Sequence, residues 1–441
     1  MTIEQATGMV LPQPGRMQTL RDAAADGTRV TVHGAVHAIR DMGGFSFVLL
    51  RIPEGIVQCT LAGVVPEELA EECCIEADGT VHTEPRAPGG LEIALDAVRV
   101  LSQPAVPVPV PVNKWKTGLS LETELSLRPV TLRHAKARAI FRLQAEIVRA
   151  FRDFLQGQGF VEVHTPKIVA ASAEGGANVF RLDYFGRKAF LAQSPQFYKQ
   201  TMVGVYERVF EVGPVFRAEK HNTVRHLNEY VSLDFEMGYL GDFTDLCEME
   251  TAMLRFVFSR LRDGCADDLK TAGVCLPEIT GIPMVRFDEA KRAASEAYGR
   301  KIRDPFDLDP EEEVLIGRYY KEKTGSDFVF VTHYPSKKRP FYAMDDPADP
   351  RYTLSFDLLF RGMEITTGGQ RIHSYAEQVE KMKAKHLDPE DFTGYLMIHK
   401  HGMPPHGGLG IGLERLCMKL FDLPNVRLAS LFPRDLGRLE P

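Results

Sequence analysis

Residues 102–115, with the sequence SQPAVPVPVPVNKW, alternate proline with valine and divide the chain. Proline fixes its own φ angle and has no backbone N–H, so this stretch cannot form a helix interior or a central strand. A proline-rich segment of this kind is extended and semi-rigid. The chain has 441 residues, more than one hydrophobic core usually serves. The sequence therefore predicts an N-terminal extension (1–26), a small domain (27–102), a linker (103–135) and a large domain (136–441).

Composition excludes several classes of protein. The hydrophobic fraction of 44% is that of an ordinary globular protein, and no run of about 18 apolar residues indicates a membrane span. The N-terminus lacks the basic start and apolar core of a secretory signal, so we expect a loose extension and a cytoplasmic protein. Seven cysteines include adjacent Cys73 and Cys74 but no C-x-x-C spacing, which argues against disulfides and a zinc site. A net charge of −7 restricts any nucleic-acid contact to local patches.

The small domain has the pattern of short strands separated by turns. Predicted strands cover 29–41, 45–52 and 55–61, a helix is predicted over 66–73 (PEELAEEC), and two further strands are predicted in GTVHTE and LEIALDAVRVL. Five strands with one helix in about 75 residues are typical of a barrel of the oligonucleotide-binding (OB) type. A generic β-domain would give similar spacing.

The large domain mixes helices with long strands. A helical pattern runs over 140–155, and glycines at 157 and 159 end it before the strand FVEV. Strands are predicted over 208–219 and 229–239, twice within 352–372, and at the start of GGLGIGLERLCMKLFDL, which continues as an amphipathic helix. We therefore expect an α+β domain built on an antiparallel sheet flanked by helices.

Opposed charges are concentrated in one hairpin of this domain. Arg217 and Glu219 lie two residues apart on one predicted strand, and Asp234 and Glu236 do so on the next, so each pair shares a face. The simplest interpretation is a solvated hairpin with cross-strand ion pairs. Arg415, however, follows a glycine-rich strand in the first turn of a helix, where a cation and close backbone approach suit a phosphate. Together these residues favour an anion-binding site.

Six segments carry a resemblance to a known family. GFVEVHTPKI, FRAE…RHLNEYVSLDFEM and GGLGIGLERL resemble motifs one, two and three of class II aminoacyl-tRNA synthetases. EGGANVF…FLAQSPQFYKQ, RGMEITTGGQRIH and GMPPHGGLGIGLERL resemble aspartyl-tRNA synthetases of the compact archaeal type. The resemblance implies an anticodon-binding barrel and a catalytic domain that attaches aspartate to tRNA(Asp) through an aspartyl-adenylate. Positioning and charge stabilisation would carry this catalysis, because no protein nucleophile is required.

The resemblance also implies a site for ATP and Mg²⁺. The implied ATP contacts are Arg217 (α-phosphate), Arg415 (γ-phosphate), Arg225 and His226 (phosphates), Glu219 (adenine amino group), Tyr230 (adenine stacking, where relatives usually have phenylalanine), Glu364, Gly410 and Gly412. Glu364 and Thr367, with Asp357 nearby, are implied as Mg²⁺ ligands. Oxygen ligands that leave several waters in place suit Mg²⁺ bound to ATP.

An aspartate pocket needs cations for the side-chain carboxylate and anionic groups for the ammonium. By resemblance, Lys199 and Arg371 supply the cations. The ammonium-side and closing-loop groups are Asp234, Ser194, Gln196 and Glu174. Asparagine would leave the two cations without their anion, a loss of roughly 3–5 kcal/mol if both are buried.

The barrel would read the anticodon. Phe47 and Gln58, with Arg40 beside them, match the stacking ring and base-contacting groups of the family, although alternate strand positions also point into a core. Relatives that discriminate between tRNA(Asp) and tRNA(Asn) tend to carry tryptophan and lysine where this chain has His37 and Pro88. Histidine and proline penalise neither base strongly. We therefore expect charging of tRNA(Asn) as well as tRNA(Asp), with a tRNA-dependent amidotransferase acting downstream.

Motif one is the dimer-interface element of the family, so we also expect a homodimer. Three alternative functions remain at this stage. An asparaginyl-tRNA synthetase shares the architecture but usually lacks the equivalent of Lys199. An ammonia-dependent asparagine synthetase would lack the barrel. A catalytically silent, RNA-binding paralogue would not need Arg217, Arg371 and Arg415.

Overall fold

The computed structural model describes residues 17–25, 27–171 and 178–440. The chain forms two compact units, residues 1–135 and 136–441. The larger hydrophobic clusters lie within one unit or the other, so each unit has its own core. Glu174 and the first 16 residues lie outside the described residues.

The N-terminal unit is a closed five-stranded barrel. Its elements are α1 (Met17–Ala24), β1 (Arg29–Asp41), β2 (Phe45–Arg51), β3 (Ile56–Ala62), β4 (Cys74–Thr83), a 3₁₀ helix (Pro88–Gly90), β5 (Leu91–Ser102), α2 (Leu121–Ser126) and α3 (Arg128–Thr131). The strand order is β1-β2-β3-β5-β4, and β1 closes the barrel by pairing with β4. The predicted OB-type barrel is confirmed.

Two predictions for this unit are wrong. The helix predicted over 66–73 does not form, because the backbone of this short segment pairs with β1: Glu72 N donates to Val36 O, and Val36 N donates to Cys73 O. Glu72 also has a positive φ of 67°, which an α-helix does not allow. The N-terminal extension is not loose throughout, since α1 places Leu20, 1% exposed, in the barrel core.

The proline–valine segment contains no regular structure. Residues 103–120 form neither helix nor strand, as expected for a run in which alternate residues lack a backbone N–H. The short helix α2 begins after Ser120, whose hydroxyl accepts a hydrogen bond from Thr123 N.

The C-terminal unit is built on an eight-stranded sheet with the order β12-β13-β16-β17-β18-β11-β10-β6. Its strands and helices, with two small accessory sheets, are α4 (Ala135–Gly157), β6 (Val161–Glu162), β7 (Ile168–Val169), β8 (Arg181–Tyr184), β9 (Arg187–Leu191), α5 (Gln196–Tyr206), β10 (Arg208–Phe216), β11 (Glu229–Gly238), α6 (Thr244–Gly264), α7 (Ala266–Ala272), β12 (Met284–Arg286), α8 (Phe287–Tyr298), α9 (Pro310–Thr324), β13 (Phe328–Thr332), β14 (Asp345–Asp346), β15 (Asp349–Thr353), β16 (Ser355–Phe360), β17 (Met363–Arg371), α10 (Tyr375–Ala384), α11 (Thr393–His401), β18 (His406–Gly412) and α12 (Leu413–Leu420). The α+β prediction is confirmed. The sheet is mixed, because the outer pairs β6–β10 and β12–β13 are parallel while the central strands are antiparallel.

Helix α4 covers the sheet with one apolar face. Leu143, Ile147, Phe151 and Leu155 recur at helical spacing, and all four are at most 1% exposed. The ring of Phe151 meets that of Phe210 on β10 edge-on, with centroids 5.9 Å apart. This packing fixes the motif-one helix against the strand that leads into the charged hairpin.

The charged hairpin differs from its prediction in one respect. Strand β10 ends at Phe216, opposite Glu229, so Arg217 and Glu219 lie in the loop and not on the strand. The side-chain amide of Asn228 donates to the backbone oxygens of Arg217 (2.7 Å) and Glu219 (3.1 Å), where a continuing strand would place backbone N–H groups. The loop therefore leaves the sheet and can bend over its face.

All seven cysteines are free thiols. Cys59, Cys73, Cys247 and Cys417 are buried, and Cys265 is half-buried. Cys74 and Cys275 are exposed. Among the described residues, no helix is long and apolar enough to cross a membrane.

Candidate active site

One cavity of about 550 Å³ opens on the face of the large sheet. The predicted site residues that line it are Ser194, Gln196, Lys199, Arg217, Glu219, Arg225, His226, Tyr230, Asp234, Glu364, Thr367, Arg371, Gly410, Gly412 and Arg415. They come from α5 and the residues just before it, the β10–β11 loop, β11, β17, β18 and α12, so the fold gathers segments that are far apart in sequence. Asp357 is not among the lining residues, and Glu174 is not described.

The inner end of the cavity holds two buried cations. Lys199 Nζ donates to Asp234 Oδ1 and to Leu409 O, each at 2.9 Å. Arg371 Nε donates to Glu236 Oε1 at 2.9 Å, and its Nη2 donates to Gly408 O at 2.8 Å. Both cations are at most 5% exposed, so their positions are fixed by these contacts. Charged donors of this kind form strong hydrogen bonds with a carboxylate.

Glu236 joins the two cations and was given no role in the sequence prediction. Its Oε2 lies 3.2 Å from Lys199 Nζ while Oε1 accepts from Arg371, and the residue is 0% exposed. Burial raises the pKa of Glu236, but Arg371 and Lys199 outweigh burial and hold the pKa below its ordinary value. The sequence feature that could have indicated this role is the position of Glu236 two residues after Asp234, which places both side chains on the same face of the strand.

The outer end of the cavity gathers three arginines around one carboxylate. Arg415 Nη1 lies 3.3 Å from Glu364 Oε1 and donates to Glu364 O at 3.2 Å. Burial raises the pKa of Glu364, but Arg415, Arg225 and Arg217 hold it below its ordinary value. Arginines gathered at one end of a cavity suit a polyanion such as a nucleotide phosphate chain.

The β10–β11 loop and the first residues of β11 add a histidine and a tyrosine ring to the cavity. The guanidinium of Arg217 lies 5.8 Å from the centre of the Tyr230 ring. His226 Nε2 lies 3.3 Å from Glu219 Oε2, and its Nδ1 lies 2.5 Å from Thr223 Oγ1. Burial lowers the pKa of His226, and the nearby arginines lower it further against the effect of Glu219. These effects favour the neutral imidazole.

Glycines on β18 allow the strand to lie against the carboxylates. A Cβ atom on Gly408 would be 2.2 Å from both Glu236 Oε2 and Phe235 O. A Cβ atom on Gly410 would be 3.0 Å from Asp234 Oδ1. The glycine-rich motif is thus required by the close approach of β18 to the charged residues of β11.

Comparison with protein families agrees with this geometry. A family model described as tRNA synthetases class II (D, K and N) matches residues 120–436, and one described as an OB-fold nucleic acid binding domain matches residues 30–101. The chain belongs to the class II tRNA synthetases (D, K and N). The resemblance seen in the short motif segments is therefore confirmed over both units.

Individual relatives extend over nearly the whole of this synthetase. The aspartate–tRNA(Asp/Asn) ligase of Deinococcus radiodurans is 48% identical over 422 residues, 94% of this chain and 96% of the relative. The aspartate–tRNA(Asp) ligase of Pyrococcus horikoshii is 40% identical over 428 residues, 94% of this chain and 97% of the relative. A solved structure of the asparaginyl-tRNA synthetase of P. horikoshii with asparaginyl-adenylate has a TM-score of 0.89 at 31% identity, covering 98% of this chain and 100% of that one.

The described residues of this synthetase fit a magnesium ion held mainly by phosphates. Glu364 and Thr367 line the cavity, with Thr367 Oγ1 3.2 Å from Glu364 Oε1. Asp357 Oδ1 accepts a hydrogen bond from Arg339 at 2.8 Å. Within the described ranges, no group of three or more His, Cys, Asp or Glu side chains could hold a metal. One carboxylate and one hydroxyl, completed by phosphate oxygens and waters, are suitable ligands for Mg²⁺.

The barrel of the synthetase presents the predicted anticodon residues on one face. Arg40 and Thr60 lie directly opposite Phe47 on the neighbouring strands, and Gln58 is two residues from Thr60. Phe47 is half-buried and is not part of the barrel core. Gln58 Nε2 donates to Glu92 Oε2 at 2.6 Å. The face therefore offers a cation, a ring and an amide.

The two residues predicted to relax anticodon discrimination lie in irregular positions. His37 is the extra residue of a β-bulge in β1, between Val36 and Ala38. Bulges re-aim side chains. Pro88 is exposed at the start of the 3₁₀ helix between β4 and β5.

Proposed function

We propose that this synthetase activates L-aspartate with ATP and transfers it from aspartyl-adenylate to tRNA(Asp) and tRNA(Asn). The observation that carries the amino-acid assignment is the buried pair Lys199 and Arg371, each fixed by a carboxylate of β11. Fixed cations suit the side-chain carboxylate of aspartate, and Asp234 offers an anion for its ammonium group. Asparagine would present a neutral amide to these cations and lose roughly 3–5 kcal/mol.

Positioning and charge stabilisation account for adenylate formation in this site. The α-carboxylate of aspartate attacks the α-phosphorus of ATP, and pyrophosphate leaves. Arg217 would stabilise the charge that develops at the α-phosphate, while Arg415 and His226 would hold the leaving phosphates. Tyr230 would stack on adenine. Mg²⁺, held by Glu364 and Thr367 together with the phosphates, would neutralise phosphate charge when bound.

Pyrophosphate exchange tests the amino-acid assignment directly. We expect ATP–pyrophosphate exchange that depends on aspartate and not on asparagine. Lys199→Met keeps the length of the side chain but removes its charge, so it should raise the KM for aspartate at least about 100-fold. Lys188→Met, at an exposed lysine on β9, is the matched control and should behave like the parent. Exchange that depends on asparagine would contradict the assignment.

Relaxed tRNA recognition is proposed from the character of His37 and Pro88. The anticodons of tRNA(Asp) and tRNA(Asn) differ only in their third base, so few side chains can distinguish them. A neutral imidazole offers one donor and one acceptor, and proline offers no polar side-chain group. The Deinococcus radiodurans relative carries both tRNAs in its name, which supports the proposal.

Charging of two purified transcripts tests this second point. We expect kcat/KM values for tRNA(Asp) and tRNA(Asn) within 100-fold of each other, that is, less than about 2.7 kcal/mol of discrimination. His37→Trp combined with Pro88→Lys should increase the ratio. His33→Trp with Pro85→Lys changes exposed residues of the same strand and the same connection, and should leave the ratio unchanged. A parent ratio of 100-fold or more would refute the proposal.

Charging of tRNA(Asn) with aspartate implies a partner reaction. A tRNA-dependent amidotransferase would have to convert Asp-tRNA(Asn) to Asn-tRNA(Asn), because the mischarged product cannot supply asparagine to translation. Mixing this synthetase with such an enzyme, tRNA(Asn), aspartate, glutamine and ATP should produce Asn-tRNA(Asn). Failure to charge tRNA(Asn) in the first place would remove the need for this partner.

We also propose a homodimer. The two-residue strand β6 forms one edge of the eight-stranded sheet, and Val161 within it is 39% exposed. Within the described residues no strand pairs with the outer side of β6, so this edge, beside the motif-one helix, is available to a second copy in a two-fold contact. Sedimentation equilibrium should give twice the chain mass of 49.3 kDa at micromolar concentration. A mass equal to one chain would contradict the proposal.

A further inference from the structure

Helix α9 supplies a buried carboxylate that contacts two residues lining the outer end of the cavity, although the helix lies outside the segments that carry the family resemblance. The Glu313 carboxylate accepts two contacts from Arg225 Nη2, at 2.9 and 2.8 Å. Its Oε2 also accepts the backbone N–H of Glu364 at 2.9 Å. The side chain of Glu313 is 6% exposed. One buried group therefore contacts two residues of the ATP site.

Arg225 is held so that part of its guanidinium remains available. The side chain is 10% exposed and lines the cavity, and Glu313 engages only its Nη2 group. Arg225 Nε is buried and has no hydrogen-bond partner within the described part of the chain. A buried donor of this kind is costly unless a ligand satisfies it. The available N–H groups therefore suit an anion in the cavity.

Glu313 also closes a ring of contacts among four structural elements. Arg415 Nε lies 3.4 Å from Arg225 O, and Arg415 Nη1 lies 3.3 Å from Glu364 Oε1. Glu313 then connects Arg225 to the amide of Glu364. The β10–β11 loop is thereby tied to β17 and α12 through a residue of α9.

Helix α9 is a rigid support for this carboxylate. Asp309 and Glu312 form a capping box at its N-terminus, and Glu312 is also paired with Lys291 at 2.8 Å. A Cβ atom on Gly362 would lie 2.8 Å from Val314 Cα, so the helix packs directly on the turn between β16 and β17. A side chain on such a support holds its partner with little freedom.

We propose that Glu313 is a positioning residue for ATP, which orients the guanidinium of Arg225 towards the phosphates and holds the backbone of Glu364 beside them. The inference deepens the proposed function and rests on its assignment of the outer cavity to ATP. Glu313 acts through Arg225 and Glu364 and does not itself touch the nucleotide. Its loss should therefore weaken ATP binding without affecting the aspartate end of the cavity.

Steady-state exchange kinetics of Glu313→Gln provide the main test. We expect the KM for ATP to rise about 10-fold and the KM for aspartate to stay within twofold. Glu311→Gln is the matched control, because Glu311 lies in the same helical turn and pairs with Arg300 at 2.9 Å, but its side chain is 65% exposed. It should show parent values for both substrates. Equal rises in both KM values, or no difference between the two variants, would overturn the proposal.

A double-mutant cycle tests whether Glu313 acts through Arg225. In an Arg225→Ala background, Glu313→Gln should change the KM for ATP less than twofold, whereas a full 10-fold additive effect would overturn the proposal. If Glu313→Gln fails to fold, Arg225→Lys removes Nε but keeps the charge, and it should give the same selective rise in the KM for ATP.

Calorimetric titration with ATP separates the positioning role of Glu313 from the proposed function. A parent protein that binds ATP but lacks aspartate-dependent exchange would refute the proposed function. The ATP affinities of parent and variant would still decide the role of Glu313.

Discussion

Replacing Glu250 by glutamine should change how the stability of the C-terminal unit depends on pH. Glu250 lies on α6, is 0% exposed, and its Oε1 accepts a hydrogen bond from Thr366 Oγ1 at 2.5 Å. Its Oε2 has no hydrogen-bond partner within the described ranges. Burial raises the pKa of Glu250 to about 8, so the carboxyl group is mostly protonated at pH 7. Glutamine has nearly the same shape, carries no charge, and its amide oxygen can accept the same bond from Thr366.

The sign and size of the effect follow from proton linkage. Because the folded pKa of about 8 exceeds the ordinary value of 4.5, the folded state binds the proton more tightly than the unfolded state. The protonated Glu250 carboxyl makes its full contribution to the free energy of unfolding below pH 4.5. This contribution is lost as the pH rises towards 8, by at most about 1.4 kcal/mol per pH unit. Glu250→Gln has no such proton to lose. The free energy of unfolding of the variant minus that of the parent should therefore increase by about 1–3 kcal/mol as the pH rises from 5.5 to 7.5.

Urea unfolding of parent and variant at several pH values measures this difference. Far-ultraviolet circular dichroism should follow the transition, and protein concentration should be held fixed in case of dimerisation. Other groups that titrate in this range cancel in the difference between the two proteins. A difference in unfolding free energy that stays constant between pH 5.5 and 7.5 would refute the reasoning, because it would mean that Glu250 does not titrate differently in the two states.

Three substitutions test other features of the structure. Arg217→Ala should lower aspartate-dependent pyrophosphate exchange at least about 100-fold with little change in melting temperature, and near-normal exchange would show that Arg217 does not stabilise the transition state. Phe47→Ala should weaken apparent tRNA binding by about 1–3 kcal/mol in aminoacylation while exchange stays intact, and unfolding would instead indicate a core role. Gly408→Ala should reduce the free energy of unfolding by about 1–3 kcal/mol or more in denaturant titration, since its Cβ would collide with Phe235 O, and full stability would contradict that steric argument.

Local patterns in the sequence predict the parts of the fold that depend on local forces. The alternation in 29–41 and the glycine turns predict the barrel strands, and the periodicity of 140–155 predicts the long helix. The helix predicted over 66–73 is wrong because its backbone groups pair with β1, about 35 residues earlier in the chain. Likewise, the strand ends before Arg217, where Arg217 N still donates to Asn228 O but the oxygens of Arg217 and Glu219 accept from the side chain of Asn228.

In the candidate active site, too, residues within short motifs could be predicted, whereas contacts between distant segments could not. Lys199, Arg371 and Arg415 could be predicted because each lies in a short segment that resembles a family motif. Glu236 lay in such a segment, but its role as the bridge between Lys199 and Arg371 appears only when β11, β17 and α5 are brought together. Glu313 lies in no such segment, and only the packing of α9 on the β16–β17 turn brings it into contact with Arg225 and Glu364.

The distribution of thiols makes this synthetase suitable for two-colour fluorescence labelling. The two exposed cysteines lie one in each compact unit, Cys74 in the first and Cys275 in the second, and four of the other five are buried. Thiol-reactive reagents such as maleimides react with the thiolate form of accessible cysteines. Burial raises the pKa of Cys59 to about 12, so its thiolate is scarce at neutral pH. After replacement of half-buried Cys265, a donor and an acceptor dye could be attached without adding any new cysteine. Energy transfer between them would then report whether the separation of the two labelled cysteines changes when a tRNA is added.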